Sequence, residues 1–105
     1  MKCKFKMVFT LKDNADPAKF AEIIDKMLAC YNSTCEKTIQ GSQVEFYTSV
    51  HEYYSGMWGV VIDVLESRML PYLDALIWTN YETNNEEDVL TEFLEDCEEK
   101  KNGDK

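Results

Sequence analysis

Histidine occurs once in this 105-residue chain, at position 51, and that scarcity removes more chemistry than any other feature of the composition. Catalytic triads, paired imidazole ligands and most acid–base relays depend on a histidine with a convergent set of partners. "HEYYS" at residues 51–55 opens like a zinc-protease helix, but Ser55 stands where the second histidine would have to be, so that zinc site is excluded. Glycine is nearly as sparse: Gly41, Gly56, Gly59 and Gly103 are dispersed and form no phosphate-cradling loop. The four cysteines, Cys3, Cys30, Cys35 and Cys97, contain no CxxC pair and read as buried free thiols. Asp13 and Asp16 are too few for a calcium loop. No apolar run approaches the roughly 20 residues that span a bilayer. "MKCKFKMVFTLKD" alternates lysine with apolar residues where a secretory signal would be continuously apolar. The expectation is a cytoplasmic protein without metal or cofactor, and not an enzyme.

Positive charge is missing from one half of the chain. Residues 1–50 hold seven lysines and six carboxylates, whereas residues 51–105 hold four basic side chains and fourteen acidic ones, so nearly all of the net charge of −9 lies in the second half. Phosphate binding needs a basic surface, which disfavours direct contact with nucleic acid and favours a basic protein partner.

What is present is enough apolar residue, 45% of the chain, for one domain with its own core. Cys3, Phe5, Met7, Phe9 and Leu11 alternate with Lys2, Lys4, Lys6, Val8 and Thr10, which predicts a half-buried strand. Asp16 caps a helix that starts on Pro17 and runs to about residue 31 through Phe20, Ile23, Ile24, Met27 and Leu28. "TCEKTIQGSQVEFYTSV" predicts a hairpin turning at Gly41-Ser42, with residues 35–40 as its first strand or, in the alternative, as loop. Ser49 and Glu52 match a capping box for a helix that buries Trp58, Val61, Ile62, Leu65 and Met69 before Pro71 stops it. Residues 73–81 read as a strand, and Thr83 with Glu86 as a second capping box opening an acidic helix to about residue 99. The expected fold is α+β: a ferredoxin-like βαββαβ sandwich, an antiparallel sheet with two helices on one face, plus the acidic C-terminal helix. Residues 1–99 form the single domain, and 100–105 a flexible tail.

On that last helix Val89, Leu90, Phe93, Leu94 and Cys97 share one arc at about 100° per residue, which predicts a docked face. Asp88, Glu92, Glu95 and Glu99 form an outward ridge flanked by Glu87, Asp96 and Glu98. Like charges at this spacing oppose the helix by about 0.2–0.5 kcal/mol per pair. The ridge either keeps a small domain in solution or imitates a phosphate backbone. Asp88, Glu92, Glu95, Asp96 and Glu99 are the expected partner-binding charges, joined by Tyr53, Tyr54 and Trp58 of "EYYSGMW" as aromatic anchors. The sheet face away from the crossover helices is expected to carry Lys4, Lys6, Val8, Tyr47, Leu76 and Trp78, too apolar to be left wholly in water.

Within ferredoxin-like families, "KDNADP" lacks the arginine and glycines of an acylphosphatase and the CxxC of a metallochaperone, and the inner strands lack the RNP pattern of RNA-recognition domains. In size, acidity and lack of catalytic motifs the chain resembles the small inhibitors that phages and mobile elements direct against host nucleases, including anti-CRISPR proteins. This likeness of overall character shares no motif and carries over no site residue. It implies a nucleic-acid mimic in the host cytoplasm that blocks a basic groove of a host nuclease or nucleic-acid-binding complex. The alternative is a regulatory or small-ligand domain that dimerises through its open sheet face.

Overall fold

The computed structural model describes the backbone of residues 3–103 and the side chains of residues 3–98. Strand β1 (Phe5–Leu11) leads through a polar loop to helix α1 (Pro17–Cys30), which starts where expected. The Asp16 carboxylate accepts from the N–H groups of Ala18 and Lys19 at 3.0 and 3.4 Å, and Pro17 needs no partner there. Strands β2 (Glu36–Gln40) and β3 (Gln43–Thr48) form the predicted hairpin, turning on Gly41 at φ +60°, in the left-handed region that glycine enters without strain. Helix α2 (Tyr54–Leu65) follows a 3-10 turn, His51–Tyr53, and Val50 and Tyr53, which flank the two starts, give no side-chain cap. The α-helix proper therefore starts at Tyr54, later than the Ser49–Glu52 box predicts. A further 3-10 turn, Leu70–Tyr72, contains Pro71 and delivers strand β4 (Leu73–Asn80), then β5 (Asn85–Asp88) and helix α3 (Val89–Gly103).

The five strands make one antiparallel sheet in the order β2-β3-β1-β4-β5. The molecule is mixed α+β, and its fifth strand and three helices take it beyond a plain βαββαβ sandwich. β5 replaces the predicted capping box. Asn80 Oδ1 accepts from the backbone N–H of Glu82 and Thr83 at 2.9 and 3.3 Å, and Asn84 takes φ +54°, so the chain turns back and pairs Asn85–Asp88 with β4.

One apolar cluster joins the helices to one side of the sheet. Phe5, Met7, Phe9 and Leu11 of β1 and Val44 and Phe46 of β3 are buried against Phe20, Ile24 and Leu28 of α1 and Met57, Val60, Val61 and Val64 of α2. The Phe9 and Phe20 rings meet edge to face at 5.0 Å. On α2 the buried face is rotated from the predicted one: Ile62 is exposed, and Met57, Val60 and Val64 point inward in its place.

Leu76 and Trp78 also belong to this core and not to the open face. They lie opposite Phe9 and Met7, whose side chains are buried, and are themselves 0% and 3% exposed. The cause is a register shift: Thr10 pairs with Ala75, but Leu11 pairs with Leu73. One extra residue in β4 reverses the alternation, so Leu73, Leu76 and Trp78 all face inward although simple alternation from Leu73 sends the last two outward.

Gly56 and Gly59 let α2 come close to the end of α1. A Cβ on Gly56 would overlap Ser33 Oγ and touch Tyr31 Cβ at 3.0 Å, and one on Gly59 would lie 2.8 Å from the Tyr31 ring. Tyr31 crosses α2 at this point and its hydroxyl donates to Asp63 at 2.6 Å, raising its pKa through that bond.

Candidate functional site

Helix α3 begins on Asp88, whose carboxylate accepts from the Thr91 backbone N–H at 3.2 Å and from the Thr91 hydroxyl at 2.8 Å. This predicted ridge residue is thus engaged in capping its own helix. Val89 and Leu90 are buried at 4% and 5% exposure, Phe93 packs partly against the same cluster, and the helix rests on β4. The predicted apolar arc is shortened: Leu94 is 49% exposed and Cys97 is exposed, as is every described side chain from 94 to 98. Anchoring is confined to the first turn and a half of the helix.

The exposed part carries the charge. Glu92, Glu95, Asp96 and Glu98 lie on the surface, and among the described residues no lysine or arginine pairs with them. The Glu99 side chain lies outside the described residues; of the expected tail from residue 100, the backbone of 100–103 continues helix α3, and 104–105 lie outside the described residues. β5 extends the acidic region: Glu86, Glu87 and Asp88 fall on an edge strand, where Asn85 Nδ2 donates to Glu87 at 2.6 Å. The edge strand escaped sequence reading because Asn-Glu-Glu-Asp has no strand character of its own.

Two lysines elsewhere are engaged in ion pairs. Lys37 pairs with Asp25 of α1, and Lys4 approaches Glu82 at 3.5 Å. His51 Nδ1 lies 2.8 and 3.1 Å from the two Glu82 oxygens. The bond to His51, helped by its charge and that of Lys4, holds the Glu82 carboxyl below its ordinary pKa. His51, Glu52, Tyr54, Ser55, Asn80 and Glu82 line a polar hollow of about 320 Å³. A more apolar one of about 290 Å³ lies between the start of α1 and the 69–72 turn, lined by Phe20, Ile23, Met69 and Tyr72 with Asp16 and Lys19. Neither hollow is legible in the sequence, because each joins segments distant in the chain.

The predicted aromatic anchors divide. Tyr53 and Trp58 are half-buried, and Trp58 meets the core Trp78 edge to face at 5.5 Å. Tyr54, 39% exposed, leans on Phe5 at 5.2 Å and Trp78 at 5.9 Å. They form the margin of the core, and Tyr54 is the member that reaches the surface. On the open face Lys4, Lys6, Val8 and Tyr47 are half-buried, and Ala75, Ile77 and Thr79 take the places expected of Leu76 and Trp78. Lys6 Nζ lies 5.7 Å from the Tyr81 ring centre, and the Tyr81 contact raises its pKa. This face is more polar than the sequence suggested. Among the described residues no group of His, Cys, Asp and Glu is arranged to hold a metal ion, and no helix is long and apolar enough to cross a membrane. No protein-family model, curated protein or solved structure matches the chain.

Proposed function

We propose that this protein is a non-catalytic binding module whose acidic helix α3, with the β5 edge, engages a basic groove on a nucleic-acid-handling protein. The observation that carries this reading is the division of labour along α3: Val89, Leu90 and Phe93 hold it, while Glu92, Glu95, Asp96 and Glu98 stand in water unpaired among the described residues. Carboxylates stacked at helical spacing oppose their own helix, a cost that a purely solubilising surface could avoid by mixing charges. A row of carboxylates on a tethered helix instead matches lysines and arginines spaced for phosphates. An inhibitor of phage or mobile-element origin, anti-CRISPR-like in acting as a nucleic-acid mimic inside the host cytoplasm, fits this chemistry. The order β4-β1-β3-β2 within the sheet supports a ferredoxin-like sandwich, extended here by β5 and α3.

Affinity capture from host lysate at low and high salt tests the proposal. Basic nucleic-acid-handling proteins should be retained at about 0.05 M salt and released near 1 M, where the screening length falls to about 3 Å. Retention of only neutral or acidic proteins, or retention unchanged by salt, contradicts it. With Leu76 and Trp78 in the core, the open sheet face loses the apolar area that favoured the regulatory, dimerising alternative.

A further inference from the structure

Among the described residues the sheet has two free edges, β2 and β5, and they are built differently. β5 closes one with three carboxylates in four residues, so a second copy laid along it would set like charges against each other. β2 closes the other. Its five residues, Glu36–Gln40, are all exposed, and they pair with β3 on one side in unbroken register. With neither proline nor register shift in the strand, its outward N–H and C=O groups form a straight row ready to pair. The lysine that would guard such an edge, Lys37, is turned onto Asp25 of α1 in its own chain.

We infer that two copies of this chain pair antiparallel through β2, about a two-fold axis at Thr38, into one continuous ten-stranded sheet. With the axis there, Thr38 lies opposite Thr38 of the second copy, Lys37 opposite Ile39, and Glu36 opposite Gln40, so no like charges lie directly opposite, and the two Lys37 side chains, diagonal across the axis, each lean on Asp25 of their own copy. Ile39 is 43% exposed and lies on the helix-covered side, beside buried Val44. In the pair it gains the aliphatic stem of the second copy's Lys37 as cover.

Charge distribution selects this edge over the other. β2 lies in the near-neutral half of the sequence, whereas β5 and α3 lie in the half that carries fourteen carboxylates against four basic groups. Strands stand about 4.8 Å apart, so a β2 junction places the two acidic edges roughly 40 Å from each other, several screening lengths at physiological salt. Any pairing through β5 brings them together. The inference is independent of the proposed function, which needs only that α3 be free.

Sedimentation velocity on the full chain from about 1 µM to 1 mM tests it. The wild type should show a reversible monomer–dimer equilibrium that salt affects little. Thr38→Lys, which sets two ammonium groups at the axis, should weaken it by about fivefold or more, while Tyr47→Lys on the open face should leave it unchanged. Opposed Cα atoms in an antiparallel pair are about 4.5–5.5 Å apart, within disulfide reach. Thr38→Cys, with Cys30 and Cys97 replaced by serine, should therefore give a covalent dimer on mild oxidation. A wild type that stays monomeric throughout, a dimer indifferent to Thr38→Lys, or one lost with Tyr47→Lys overturns the inference.

Discussion

Gly56 and Gly59 sit three residues apart in one helix, yet they answer to different neighbours. At Gly56 a methyl group meets Ser33, which is 4% exposed and close to its own backbone, so little can yield. Gly56→Ala should lower stability by about 1–3 kcal/mol, the cost of overpacking. At Gly59 the obstacle is the far end of the Tyr31 ring, which is 41% exposed and free to swing outward. There the lost Tyr31–Asp63 bond offsets the helix propensity of alanine, and Gly59→Ala should change stability by less than about 1 kcal/mol. Chemical denaturation of the two variants separates these outcomes. The sequence shows Gly56 and Gly59 only as dispersed glycines, because the close approach that requires them joins segments distant in the chain. Glu82 gives a pH-dependent prediction at the same scale. Its folded pKa is lowered by His51, so its stabilising contribution is complete above the unfolded carboxylate pKa and disappears as pH falls through the folded value. Melting temperatures of wild type and Glu82→Gln should differ at neutral pH and converge below the ordinary carboxylate range. A gap that widens on acidification contradicts this assignment.

Among the elements, those with strong local signals were readable and those set by pairing were not. Asp16-Pro17 opens α1, and the alternation from Phe5 to Leu11 places β1, because cap chemistry and period are properties of the segment itself. β5 escaped because Asn85–Asp88 becomes a strand only by pairing with β4, and Thr83 and Glu86 happen to match a capping pattern. The face of β4 was misread because its register shift is dictated by β1. The corrected face has a measurable consequence. Trp78, buried beside Phe5, Tyr54 and Trp58, should cost about 3–5 kcal/mol when replaced by alanine, whereas Tyr47→Ala on the open face should cost less than about 1.5 kcal/mol. Equal losses for the two variants would put Trp78 back on the surface.

At the scale of the whole molecule, charge and apolar area are segregated. The helix-covered core spans β1, β3, β4, α1 and α2, and acidic side chains gather where the chain leaves β4 through β5 into α3. The acidic half was visible in composition, and so was the apolar arc that anchors α3. Its length was not, since the sequence does not reveal that anchoring ends with Phe93 and leaves Leu94 in solvent. The claim that this exposed, tethered charge is the contact surface is tested most directly by calorimetric titration of the captured partner with wild type and with the Glu92→Lys, Glu95→Lys, Glu98→Lys triple variant. The account predicts an unchanged circular-dichroism spectrum and at least about a hundredfold loss of affinity, some 2.7 kcal/mol. Wild-type affinity in the folded triple variant would contradict it.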